Sequence, residues 1–273
     1  MKYILTIPSP LRLVLLHAWI FAFLTTVVYA ELPQPQDYNN RSITTISTSG
    51  SHNYWYSTFL RKSDLEEGDI QKLNLRMPAD TLSGWVWVNR QIRAHSSIPS
   101  QPSAYTGPNE IQFYAEAPET KLKTNEEGEQ FVVTKPSPLG SIPLNPNYSD
   151  LLIILNPSNN GGDKSVRGFS LNNDSEKYPK GSIRVLNVSD RPNLVIGIGN
   201  KAKKIPQGKM VAFNVDLKTN ESTALRVADT DVSKESPIYS NMWTHLDDRR
   251  HLILISKKSR NREGIHLKAI NGL

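Results

Sequence analysis

The sequence predicts an all-β protein made of two tandem, duplicated antiparallel β-sandwich domains that follow a signal peptide. Three observations predict this fold: an apolar segment near the N-terminus, period-two alternation of apolar residues, and matching segments about 100 residues apart. The predicted boundaries are a signal peptide over 1–30, a polar linker or N-terminal arm over 31–60, a first β-sandwich over 61–162 and a second over 163–273.

The N-terminal segment has the pattern of an export signal. Lys2 and Arg12 precede an apolar run over 13–28, and Val28-Tyr29-Ala30 fits a small-residue cleavage site. A retained transmembrane anchor is the alternative, but polar residues interrupt a run that is shorter than the ~20 apolar residues of a spanning helix. We therefore expect a secreted or periplasmic protein that has no membrane span after signal cleavage.

Composition narrows the class of protein further. The chain has no cysteine, so an exported form would depend on burial and backbone pairing rather than on disulfides. The formal net charge is +6, and the basic residues are scattered among 26 acids. No basic run with interleaved aromatics marks a nucleic-acid surface, so we expect no nucleic-acid partner.

Comparison of the chain with itself indicates a repeated β unit. Four segments share order, spacing and apolar phase with later segments, which is the signature of duplication. The matched segments are 70–75 with 166–171, 83–89 with 181–187, 110–116 with 210–216, and 151–154 with 252–255. One continuous sandwich or barrel, in which the two halves supply equivalent sheets, is the alternative.

One stretch of the second half resembles a known group of proteins. The segment 181–189 contains arginine, apolar residues, asparagine and serine, and it precedes a second strand at 194–199 and the turn Pro206-Gln207-Gly208. This order is similar to that of uncharacterised secreted bacterial β-sandwich proteins, over about one domain. The resemblance implies export and a sandwich fold, and it supplies no catalytic residue.

The densest polar group in the sequence lies between two histidines near the C-terminus. His245, Asp247, Asp248 and His251 carry the donor types of a zinc or copper site and are the candidate metal ligands. The alternative is an Asp-initiated turn before the apolar run 252–255. Because these residues have no fixed metal-ligand spacing, we expect the protein to use no cofactor.

Carboxylates and glycines supply two weaker candidate sites. Asp64, Glu66, Glu67 and Asp69 could bind calcium or provide an acid pair for glycoside cleavage, although their spacing does not match an EF-hand loop. The segment 197–201 lacks the third glycine of a phosphate loop and is predicted to be a hairpin turn. No Gly-x-Ser-x-Gly or His-Glu-x-x-His motif is present, so we expect a protein that is not an enzyme.

Aromatic residues provide the candidate ligand-binding surface. Tyr54, Trp55 and Tyr56 lie outside the predicted repeat, so they could be exposed, or they could pack as a strand that closes the first domain. Trp85 and Trp87 share one face of a predicted strand. Because the matching residues of the second repeat are aliphatic, both indoles are predicted to lie in the core.

These observations predict a non-enzymatic envelope or extracellular protein that binds another macromolecule. The expected partner is a protein or a polysaccharide of the cell envelope, contacted through edge strands or loops. One alternative is a carbohydrate-binding module with an aromatic platform around Trp55. Another is a secreted hydrolase that uses the acids near Asp64 or Asp247.

Overall fold

The computed structural model describes residues 38–65, 84–124, 130–160, 163–215, 217–230, 237–258 and 264–273. The predicted signal peptide, the repeat segment 70–75 and the acids Glu66, Glu67 and Asp69 lie outside these ranges. Regular structure in the described residues is almost entirely β-strand, which confirms the all-β prediction. Within those residues, no helix has the length and apolar character needed to cross a membrane.

The first half of the described chain contains strands β1 to β10. Their bounds are β1 (Asn40–Ser47), β2 (Ser51–Arg61), β3 (Trp85–His95), β4 (Ser103–Thr106), β5 (Glu110–Phe113), β6 (Glu119–Thr124), β7 (Gln130–Lys135), β8 (Gly140–Pro143), β9 (Asp150–Asn160) and β10 (Asp163–Asn172). A single 3-10 turn, Lys62–Asp64, follows β2.

The second half contains strands β11 to β18. Their bounds are β11 (Ile183–Asn187), β12 (Asn193–Ile198), β13 (Lys201–Pro206), β14 (Met210–Phe213), β15 (Ser222–Asp229), β16 (Tyr239–Thr244), β17 (His251–Lys257) and β18 (Ile265–Asn271). Short polar turns rich in Asn, Gly and Pro join several of these strands, as expected for tight connections between them.

The first half forms a sandwich of two sheets. One sheet has the order β4-β1-β9-β10, in which β1 and β9 are parallel and the other neighbours are antiparallel. In the other sheet, β3 pairs with β2 and β5 pairs with β8. Trp55 and Tyr114 join these two hairpins, because each backbone N–H donates to the other residue's carbonyl at 2.9 and 2.8 Å.

The second half repeats this pairing pattern. One sheet has the order β14-β11-β17-β18 with β11 parallel to β17, and the other has the antiparallel order β13-β12-β15-β16. Each half thus contains one parallel pair of strands within sheets that are otherwise antiparallel, as the sequence predicted. The β6–β7 hairpin is an insertion between β5 and β8 that has no counterpart in the described part of the second half.

The pairing pattern changes which segments correspond to one another. By position in the sheets, β11 corresponds to β1 and β14 to β4, whereas the sequence comparison matched 181–187 with 83–89 and 210–216 with 110–116. Residues 40–60, interpreted from sequence as part of a polar arm, form β1 and β2. That interpretation was wrong because β1 buries Thr44, Thr45 and Ser47, whose hydroxyls gave the segment a loop-like composition.

Four sheets stack as four layers. The core of each sandwich lies between its own two sheets, and a third buried cluster joins the sandwiches. This inter-sandwich cluster contains Ile46, Leu152, Ile154, Leu186, Leu252, Leu254 and Ile270. The two middle sheets are therefore covered on both faces, which explains the continuous apolar runs of β9 and β17.

Candidate aromatic cleft

The two faces of the β2–β3 hairpin have different roles. Tyr54 and Tyr56 point into the core of the first sandwich. Because side chains alternate along a strand, Trp55, Phe59 and Arg61 lie on the outer face. On β3, Trp87 pairs with Phe59 and Trp85 pairs with Arg61, so the outer face ends in a group of aromatic side chains.

These aromatic side chains pack against one another rather than into the sandwich core. The ring of Phe59 lies 4.1 Å from that of Trp87 and 6.4 Å from that of Trp85 in an edge-to-face arrangement, measured between centroids. Tyr38 stacks on Phe59 at 5.9 Å. The guanidinium carbon of Arg61 lies 5.3 Å from the centroid of Trp85, within cation–π range.

A cleft of about 790 Å³ opens beside this cluster, at the pole of the first sandwich where β1 and β3 begin and β2 and β4 end. That volume lies within the range of small-molecule sites. Its lining residues are Tyr38, Asn39, Asn40, Phe59, Leu60, Arg61, Asp64, Trp85, Ala104 and Thr106. Tyr38 and Trp85 are half-buried, so parts of both rings are accessible.

The polar lining of the cleft is exposed and chemically mixed. Asn39, Asn40, Arg61 and Asp64 are all exposed, and they provide amide donors and acceptors, a guanidinium and a carboxylate. The 3-10 turn that carries Asp64 is held to the start of β3, because the Lys62 backbone N–H donates to the Gly84 carbonyl at 3.0 Å. The cleft therefore combines aromatic surface with donors and acceptors.

The structure corrects part of the predicted aromatic surface. Tyr54 and Tyr56 are core residues, and burial raises the pKa of Tyr54 to about 12. Trp55 is half-buried on the outer face and does not line the cleft. These three residues therefore do not form one binding surface, because neighbouring residues of a strand point to opposite faces.

The predicted burial of the two tryptophans is confirmed for Trp87 but not for Trp85. Trp87 is 6% exposed, but it belongs to the outer aromatic cluster rather than to the core between the sheets. Trp85 is only half-buried and lines the cleft. The reason is that β3 occupies an outer sheet position equivalent to β13, not the inner position of β11.

The four candidate metal ligands occupy different environments. His251 is buried, and its ring nitrogens are engaged: Nε2 donates to the Leu246 carbonyl at 2.7 Å, and Nδ1 lies 2.8 Å from Oδ1 of Asn271. His245 is buried with its ring centroid 5.8 Å from that of His251. The other two candidates are exposed carboxylates, Asp247 beside Thr219 and Asp248 beside Arg249.

A metal site is not assembled in the part of the chain that the structure describes. No group of three or more His, Cys, Asp or Glu side chains there is arranged to hold a metal ion. Asp247 and Asp248 begin the turn that leads into β17, which matches the structural alternative considered from the sequence.

Most of the residues that line the cleft, among them Tyr38, Phe59 and Arg61, were not identified from the sequence. Tyr38 and Phe59 lie in the segment that the sequence predicts to be a polar arm, and Arg61 lies at the predicted start of the first domain. The available signal was the alternation along 54–61, which separates the two core tyrosines from Trp55, Phe59 and Arg61.

Comparisons with known proteins do not assign a family. No protein-family profile matches the chain, and no curated protein is significantly similar to it. Solved structures with some similarity include a proposed cell adhesion protein from Bacteroides uniformis, with 8% identity, a TM-score of 0.20 and coverage of 87% of this chain and 98% of that chain. Another is a fimbrial assembly protein from Parabacteroides distasonis, with 7% identity, a TM-score of 0.19 and coverage of 85% and 95%.

Proposed function

We propose that this chain is an exported, non-enzymatic binding protein whose aromatic cleft binds a glycan of the cell envelope or extracellular space. The single observation that carries this proposal is the composition of the cleft: the half-buried rings of Tyr38 and Trp85 face the same space as Asn39, Asn40, Arg61 and Asp64.

A sugar ring suits this lining because it is amphipathic. Its C–H faces can pack on aromatic rings, while its hydroxyls can donate to a carboxylate and accept from amides and a guanidinium. A purely apolar ligand would leave the polar groups of the cleft without partners, and a small ion would leave the aromatic surface unused. The mixed lining therefore favours a glycan.

The cleft supports binding better than hydrolysis. Glycoside hydrolases generally use a pair of carboxyl groups on either side of the scissile bond. Asp64 is the single carboxylate among the described residues that line the cleft. Asp247, the other acid considered for a hydrolase, lies in the second half beside Thr219.

Export is proposed from the sequence. The segment 1–30 has a basic start, an apolar run and a small-residue cleavage site, and the chain has no cysteine. A secreted or periplasmic location would bring the cleft into contact with envelope or extracellular polysaccharides. The other class of partner considered from the sequence is a protein. Capture of envelope proteins by the purified, immobilised chain would reveal such a partner.

The proposal is tested by screening the purified protein against wall and extracellular polysaccharides and measuring affinity for a captured glycan by calorimetry. Trp85→Ala should lower that affinity at least about tenfold, as expected when a central aromatic contact is removed. Trp55→Ala is the matched control, because Trp55 is a half-buried tryptophan on the same sheet face outside the cleft. Failure to capture any glycan, or equal affinity in Trp85→Ala, would contradict the proposal.

A further inference from the structure

The outer sheet of the second sandwich has one face whose described residues are largely exposed. Leu194, Ile196, Leu225, Val227 and Trp243 of this sheet point into the core. The residues between them therefore point outward, and they form the outer face of β12, β13, β15 and β16. This outer face contains Val195, Gly197, Ala202, Lys204, Ala224, Arg226, Ala228, Ser240 and Met242.

Small residues create a depression at the centre of the outer face. Gly197 pairs with Ala202 on one side and with Arg226 on the other, and Arg226 pairs with Ser240. The resulting depression has a volume of about 480 Å³, and its lining also includes Val195, Ala228 and Pro237. Arg226 is thus surrounded by side chains too short to cover it.

The charged side chains among the described residues of the outer face are all positive. Arg226 and Lys204 are exposed cations, and no carboxylate is among the described residues that point outward from the four strands. Asp229 lies on β15, but its carboxylate is only 5% exposed and is paired with Arg191 at 3.0 Å. Arg226 has no ion pair with any residue that the structure describes, so an acidic group is the complementary partner.

The corresponding face of the first sandwich is covered by its own chain. Asn89 on β3 donates from Nδ2 to the Pro118 carbonyl at 2.8 Å, which places the segment leading into β6 against that face. Ser57 and Asn89 are consequently buried, and Phe59 and Trp87 pack beside them. In the second sandwich, no segment among the described residues covers the equivalent face in this way.

Apolar exposure on the outer face favours a protein over a charged polysaccharide. Met242 is 61% exposed, and Val195 and Ala202 lie on the same face. Met and Arg are enriched in protein interfaces, where apolar contact surrounds a few charged groups. A hydrated polyanionic glycan would use the two cations but would leave these apolar groups without contacts.

We propose that an acidic protein segment docks on this outer face. Its carboxylates pair with Arg226 and Lys204, and its apolar side chains contact Met242 and the depression around Gly197. This site is separate from the aromatic cleft, since the two lie on different sandwiches. Docking on the outer face is therefore independent of glycan binding in the cleft.

The test measures binding of a random copolymer of glutamate and tyrosine to the immobilised full chain. The copolymer should bind, and binding should weaken as salt is raised. Arg226→Glu should reduce affinity at least tenfold, and Met242→Ser should reduce it severalfold. Arg167→Glu is the matched control, because Arg167 is an exposed arginine on β10 of the first sandwich, and it should leave binding unchanged.

Two results would overturn the proposal. Equal loss of copolymer binding in Arg226→Glu and Arg167→Glu would show that the acidic copolymer is attracted only by the net positive charge of the protein. Tighter binding of polygalacturonate than of the copolymer, with no effect of Met242→Ser, would assign the outer face to an anionic polysaccharide. Affinity for the cleft's glycan should stay unchanged in Arg226→Glu, which separates this test from that of the proposed function.

Discussion

Arg184 donates a hydrogen bond from Nη2 to Oδ1 of Asn173 at 3.0 Å, and this contact ties the first strand of the second sandwich to the end of the first. Nη1 of Arg184 also donates to the Asn172 carbonyl at 3.2 Å, and its guanidinium lies 4.9 Å from the Tyr178 ring. Arg184 is fully buried. Burial and the nearby Arg250 lower its pKa to about 10, so the guanidinium is still protonated at neutral pH.

Replacement of this buried guanidinium should destabilise the protein. Arg184→Met would leave the Asn172 carbonyl and the Asn173 side chain without their donor, and we expect a loss of about 1–3 kcal/mol in the free energy of unfolding. Urea denaturation measures this loss. Arg249→Met is the matched control, since Arg249 is exposed and forms an ion pair with neighbouring Asp248. Equal stability of the two variants would contradict a structural role for Arg184.

The inter-sandwich cluster should make the two halves unfold together. Leu252→Ala removes buried side-chain volume between the middle sheets and should cost about 2–5 kcal/mol. Hydrogen exchange of the β9 and β17 amides should report one transition in the parent protein, and both strands should lose protection in the variant. Ile98→Ala, at a side chain that is 65% exposed, is the control and should change stability by less than about 0.5 kcal/mol. Loss of protection confined to β17 would argue against a shared core.

A close approach between β8 and β10 should make Gly140 intolerant of a side chain. A Cβ at Gly140 would lie 1.9 Å from the Val166 carbonyl oxygen, so Gly140→Ala must displace backbone. We expect destabilisation by more than about 1 kcal/mol in thermal or urea unfolding. Gly197→Ala is the control, because the nearest atom to its Cβ would be 3.9 Å away. Equal stability of the two variants would contradict the close approach between β8 and β10.

Acid should destabilise the second sandwich through His245. Burial, followed by the nearby charge of His251, lowers the pKa of His245 below its ordinary value of 6.5, and Asp247 and Glu221 oppose this shift only in part. Below pH 6.5, His245 therefore binds a proton more readily in the unfolded chain than in the folded protein. The free energy of unfolding consequently decreases as pH falls from 6.5 toward the lower folded-state pKa. Urea midpoints at pH 7 and pH 5 should differ less in His245→Gln than in the parent protein. If the urea midpoint fell equally between pH 7 and pH 5 in both proteins, His245 would not contribute to the loss of stability in acid.

The sequence predicted the all-β class and the positions of many strands because alternation and apolar runs are local signals. It could not predict the correspondence between the halves. The match of 151–154 with 252–255 places Leu152, which faces the inter-sandwich cluster, opposite Ile253, which faces the second core. A shift of one residue exchanges the two faces of a strand, and similar apolar runs do not fix that register.

The candidate site was harder to predict than the fold. The two aromatic rings accessible in the cleft, those of Tyr38 and Trp85, come from segments that are far apart in sequence and meet only when β2 pairs with β3 and β1 lies beside them. Tyr54 and Tyr56 flank Trp55 in the sequence, but strand geometry sends them into the core. Local composition does not distinguish an exposed aromatic residue from a buried one.

The sharpest test of glycan binding in the cleft is the NMR spectrum of the tryptophan indole N–H groups during titration with a captured glycan. The resonance of Trp85 should shift with saturation, while that of Trp243, buried in the second core, should stay in place. A saturating shift of Trp55 without one of Trp85, or no shift at either residue, would contradict binding in the cleft.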